Sequence, residues 1–170
     1  MQQAEHSVVA RFIRATALIE DALLVALLAA MVALSASQIV LRNLFDGAII
    51  WADPVLRISV LWVGMIGAMV ATRADKQISI DAVSRFLPAR WRARVRVITD
   101  LFTSGVSAVV AWNAVRLVVE DRASGMTVIA SVPVWACEVI LPVAFGVIAL
   151  RYLLFAIRHG GQFFGGEAEP

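Results

Sequence analysis

Residues 22–41 read ALLVALLAAMVALSASQIVL, an unbroken stretch without a single charge. Wound as an α-helix, a stretch of this length rises about 30 Å, the thickness of a bilayer's hydrocarbon core. Working outward from it, three further apolar stretches place spans at 20–41, 55–72, 97–119 and 127–150. The expected fold is therefore an all-α integral membrane protein with four transmembrane helices in a single membrane domain. Composition agrees: of 170 residues, 61% are hydrophobic and 16% charged, and mean hydropathy is +0.83. A water-soluble fold cannot hide that much apolar surface.

The N-terminus invites a competing reading as a cleaved signal peptide, since Arg11 and Arg14 precede an apolar run and Ser35-Ala36-Ser37 resembles a cleavage site. Glu20 and Asp21 abut the run, and the run is longer than a usual signal core, so a retained helix fits better. Basic residues in short loops stay cytoplasmic. Four spans put Arg11, Arg14, Arg73, Lys76, Arg85, Arg90, Arg92, Arg94, Arg96, Arg151 and Arg158 on one side and only Arg42, Arg57, Arg116 and Arg122 on the other. The first side is read as cytoplasm, with both termini in it. A three-span chain with a re-entrant second segment is the alternative.

Within lipid, helices approach through small residues rather than through apolar burial. The first helix carries Ala22, Ala26, Ala29, Ala33 and Ala36 in one stripe, the second Gly64, Ala68 and Ala71, and the third Ser104, Ser107, Ala111 and Ala114 behind Asp100. All three are expected to be packing faces. Asp100 lies one turn after Arg96, which can neutralise it. Glu138, read as lying near the middle of the fourth span, costs roughly 3 kcal/mol unless paired or protonated. Its structural reading is a hydrogen bond or a salt bridge to another subunit, and its sharper reading is ion coupling. Pro133 and Pro142 each remove a backbone donor and are expected to kink that helix.

Between the second and third spans, 78–87 reads as a short amphipathic helix on the membrane surface, closed by Pro88. Arg90, Trp91, Arg92, Arg94 and Arg96 then form a basic, aromatic anchor at the headgroups. Anionic lipid suffices as its partner and nucleic acid is not required. Across the membrane, Trp51-Ala52-Asp53-Pro54 opens the second span, with Asp53 expected to cap it and Arg57 to pair with Asp53. The one cysteine, Cys137, and two distant histidines, His6 and His159, supply no metal or haem site, and no cofactor is expected. No catalytic constellation appears, so the chain is not read as an enzyme. The 160–170 tail reads as disordered.

Together, Arg42, Trp51, Asp53 and Arg57, then Trp62, Gly64, Gly67 and Ala68, then Arg73, Ile78, Asp81, Leu87 and Pro88, and finally Pro133, Pro142, Leu150 and Arg151 resemble the small membrane subunit, DctQ-like, of tripartite ATP-independent periplasmic (TRAP) transporters. Pro54 stands where a second acid is common in that family, Gln77 where histidine is frequent, and Glu138 where an aromatic is common. The resemblance implies a bacterial inner-membrane complex. In it a large subunit carries sodium and an organic acid, a periplasmic substrate-binding protein delivers that acid, and this chain braces the large subunit. A self-contained oligomeric transporter or channel built around Glu138, and an assembly subunit of another membrane complex, are the alternatives.

Overall fold

The computed structural model describes residues 2–45, 47, 49–73, 89–129 and 132–165, with side chains over 15–44, 47, 49–73, 94–128 and 132–160. The elements are α1 (Gln2–Phe45), α2 (Ala52–Ala71), α3 (Ala89–Ser124), a hairpin of β1 (Thr127–Ile129) and β2 (Val132–Pro133), α4 (Val134–Glu138) and α5 (Ile140–Gly165). Four segments are long and apolar enough to cross a membrane: Ala15–Leu44, Ala52–Ala71, Arg94–Ser124 and Val134–Gly160. The chain is thus a multi-pass, all-helical membrane protein. The amphipathic surface helix expected at 78–87, with Asp81, lies outside the described residues.

α1 and α3 are longer than their spans. The 44 residues of α1 rise about 66 Å, more than twice the thickness of a hydrocarbon core. The first turns of α3 contain Arg90, Trp91, Arg92, Arg94 and Arg96, so the basic segment expected to anchor at headgroups is itself helical and continuous with the span. α5 continues to Gly165, six residues into the tail read as disordered from sequence.

α1 packs along α2 and α3 along α5, and the two helical hairpins meet where α2 touches α5. The core lies on that seam: Ile66 and Met69 of α2 against Ile140, Ala144 and Ile148 of α5, with Leu24 and Leu27 of α1 packed at its edge. Glu20 of α1, Arg73 just past α2, Asp100 of α3 and Arg151 and His159 of α5 gather at one end of the bundle, called here the terminal end. The β-hairpin lies at the other.

The start of the fourth span departs from expectation. Residues 127–129 and 132–133 pair as antiparallel strands, Thr127 with Pro133 and Ile129 with Val132. Gly125 ends α3 at φ +65, a left-handed conformation that costs glycine nothing. Pro133 therefore kinks no helix. It sits in extended conformation (φ −71, ψ 144) as the residue before α4. Pro142 behaves closer to expectation: it lies in the first turn of α5, just past the irregularity at Val139 that separates α4 from α5.

Candidate subunit interface

The small-residue face of α3 is consumed within the chain. Asp100, Ser104 and Ser107 are all buried, Asp100 to 2% exposure, against α5, whose Ala144 and Ala156 are buried in turn. Small side chains let the two backbones approach, and the polar atoms inside the contact are then obliged to pair. Ser104 Oγ donates to the Ala149 carbonyl at 2.9 Å. Asp100 Oδ2 lies 3.0 Å from His159 Nδ1, a partner 59 residues away that the sequence reading did not supply. Arg96, the partner expected for Asp100, is half-buried and engaged in contacts of its own.

α1 does the opposite. Ala22, Ala26, Ala29, Ala33 and Ala36 are all exposed. Half-buried positions include Glu20, Leu24, Leu27, Met31, Leu34, Gln38 and Leu41, a second stripe at spacings of three and four that faces α2. The alanine stripe, expected to be a packed face, has no helix against it among the described residues. On α2, Ala68 packs at the edge of the core, while Gly64 and Ala71 are exposed, and a Cβ added at Gly64 would meet nothing within 4 Å.

At the terminal end, three helices are clasped by charge. Arg73 donates from Nε to Glu20 Oε2 at 2.7 Å and from Nη1 to Asp21 Oδ1 at 2.8 Å. Arg151 donates from Nη2 to Glu20 Oε1 at 2.7 Å and from Nη1 to the Met69 carbonyl and, at 3.3 Å, to Thr72 Oγ1. Partial burial pushes the Arg73 guanidinium down, but its bonds to Asp21 and Glu20 outweigh that and hold it above its ordinary value. Arg151 also covers the carbonyl at the C-terminal turn of α2, where a helix presents unsatisfied acceptors and negative dipole. Sequence showed only that these charges flank spans.

At the hairpin end, Trp62 donates its indole N–H to the Cys137 carbonyl at 2.9 Å, binding α2 to the α4–α5 joint. That joint is where Pro142, lacking an N–H, leaves the Glu138 carbonyl without its usual helical donor. Glu138 is not mid-helix. It is the last residue of α4, with its carboxyl against that of Asp121 near the end of α3, and its Oε2 is buried without a hydrogen-bond partner. Beside it, the Arg122 guanidinium sits 5.7 Å from the centroid of the Trp135 ring, in cation–π range.

The opening of α2 differs from the expected capping. Trp51, half exposed, occupies the N-cap and makes no side-chain capping bond. Asp53 is the second helical residue, placed where its charge favours the helix dipole. Asp53 and Arg57 form no ion pair. Asp53 instead shares a cleft of about 160 Å³ with Gln38, Ile39, Arg42, Ile49 and Ile50, closed by the Gln38 amide donating to the Ile49 carbonyl at 3.2 Å. Arg94 is exposed at the other end of the molecule, and the side chains of Arg90, Trp91 and Arg92 lie outside the described set.

The polar groups of the interior thus fall into separate clusters, each joining one helix to another. Among the described residues, no group of three or more His, Cys, Asp or Glu side chains could hold a metal ion.

The isethionate TRAP transporter permease protein DctMQ of Oleidesulfovibrio alaskensis is 26% identical over 107 residues, which cover 62% of this chain and 17% of that relative. The chain therefore spans less than a fifth of the curated relative it matches. The family described as tripartite ATP-independent periplasmic transporters, DctQ component, matches residues 31–160, a stretch holding the α3–α5 contact, all of α2 and the C-terminal part of α1, and on that match the chain belongs to the DctQ family of TRAP transporter components.

Proposed function

We propose that this chain is the small bracing subunit of a TRAP transporter in a bacterial inner membrane, with both termini in the cytoplasm and with no enzymatic activity. It holds a large membrane subunit that takes up an organic acid with sodium. A periplasmic substrate-binding protein delivers the acid. The observation that carries this reading is the exposed alanine stripe of α1: a span of which none of the hydrophobic window is buried by its own chain, yet whose outward face is as small as that of a packed helix. In lipid, such a face gains most from another helix's backbone. The matched relative supports the reading as well, since its name joins two components and most of its length lies outside the match.

Reconstituted alone in liposomes, the chain should move no solute, and uptake should require the large subunit. Sodium-driven uptake of an organic acid by the isolated chain would sink the proposal. Reporter fusions after Gly125 and at the C-terminus should report opposite compartments, with the C-terminal fusion inside.

One observation favours a second reading. Glu138 carries an unpartnered oxygen beside Asp121, an arrangement a transport acid could use. Glu138→Gln separates the two readings: it should leave a reconstituted complex with substantial transport and unchanged sodium dependence if the acid is structural, and abolish coupling if it carries an ion.

A further inference from the structure

A cleft of about 330 Å³ opens between the N-terminal half of α1 and the C-terminal half of α5 at the terminal end. Its mouth is lined by Arg73, Arg151 and Arg158, and its wall by Leu150, Leu154 and Phe155. Of the three cations, Arg73 and Arg151 are bound to Glu20 and Asp21. Arg158 is exposed and makes no ion pair or hydrogen bond with a described residue. The mouth therefore holds one more positive charge than negative, on a side chain free to bind.

Depth matters as much as charge. Arg73 lies just beyond the end of α2, and Arg158 lies two residues before the end of the fourth span. Both belong at the level where hydrocarbon gives way to headgroups. Leu154 and Leu150 lie one and two turns inward from Arg158 on α5 and are 46% and 57% exposed, so the wall continues the cleft into the acyl region. Basic pockets between spans at this level recognise lipid phosphates.

We propose that this cleft binds one anionic phospholipid, its phosphate on Arg158 with support from Arg151 and Arg73, and one acyl chain along Leu150, Leu154 and Phe155. A soluble anion gains nothing from the leucine wall. A partner helix, about 10–12 Å across with its side chains, is too large for the space.

The full chain, extracted together with its membrane partners, is examined by native mass spectrometry and lipid extraction, with phosphatidylglycerol and inorganic phosphate as probes. One tightly retained phosphatidylglycerol per chain is expected. Arg158→Gln should lower its retention about fivefold, the worth of one arginine near the headgroups. Leu154→Trp, which fills the wall and leaves every charge in place, should lower it as well, and Arg94→Gln, removing the same charge away from the cleft, should not. Retention unchanged in both Arg158→Gln and Leu154→Trp would overturn the site. Equal competition by inorganic phosphate would make it a soluble-anion site, and loss of the lipid only when a large subunit is bound would make it part of the subunit contact. Either result also overturns the proposal. None of these outcomes depends on whether the chain braces a transporter.

Discussion

The stripes of small residues on α1 and α3 look alike in sequence and have opposite fates. On α3 the stripe contains Asp100, Ser104 and Ser107 and is buried against α5. On α1 it is alanine alone and faces outward. The difference follows from what lipid offers each. An alanine methyl is as comfortable in acyl chains as against a helix, so nothing compels it to find a partner within the chain. A carboxylate or hydroxyl in lipid has no acceptor or donor there, so the face bearing it is fixed early and internally. Small residues tell where a helix can be approached closely, and polar atoms among them tell whether the approach is made by the same chain.

The largest effect is expected where the internal face is fixed by a buried polar contact. Asp100→Ala leaves His159 without its carboxylate in a buried contact and should destabilise the isolated chain by about 3 kcal/mol, measured by unfolding in detergent with α3–α5 separation as the readout. No change there would mean that α3 is held by shape alone. Next comes the external face. Ala29→Leu should leave the chain's own stability within about 0.5 kcal/mol, as for an exposed position, yet weaken association with the large subunit by about 1–3 kcal/mol through overpacking, read as a fall of roughly tenfold or more in copurification. Destabilisation of the isolated chain instead would place an internal partner on the alanine stripe.

Smaller effects test the seam between the two helical hairpins. Trp62→Phe keeps the ring and removes the indole donor to Cys137, and should cost about 1 kcal/mol of chain stability without touching subunit association. The smallest expected effect is that of Arg57→Gln, within about 0.5 kcal/mol on both measures, because Arg57 makes no ion pair. A substantial loss of association in that variant alone would mark Arg57 as a contact to another subunit.

Much of the architecture was legible because bilayer thickness is a blunt ruler. Uninterrupted apolar length is enough to place four helices, and the α3 face announced itself through Asp100 and its serines. Other features depended on distance through space. Arg151 gave no hint of reaching Glu20, since charges at span ends have no periodicity that points at one another. The hairpin at 127–133 was read as helix because a short apolar run fits either state. Its β-branched residues Thr127, Val128, Ile129 and Val132 and the preceding Gly125 were the available signal. Moving the start of the fourth span to Val134 also moves Glu138 from mid-membrane to the first turn, which explains how it comes to lie against Asp121, an acid that sequence placed in a loop.

The clasp at the terminal end also has an order in time. A chain emerges from the ribosome N-terminus first, at about 5–20 residues per second. Arg73 lies 53 residues after Glu20 and Arg151 lies 131 after it, so the second cation arrives roughly 4 to 16 s after the first at that rate. In the interval Glu20 and Asp21 at the base of the α1–α2 hairpin share the single cation Arg73, which leaves one negative charge unmatched. Arg151 then supplies a second cation through its bond to Glu20 and covers the end of α2, so α5 joins α1 and α2, and a chain cut short before α5 would lack that fastening.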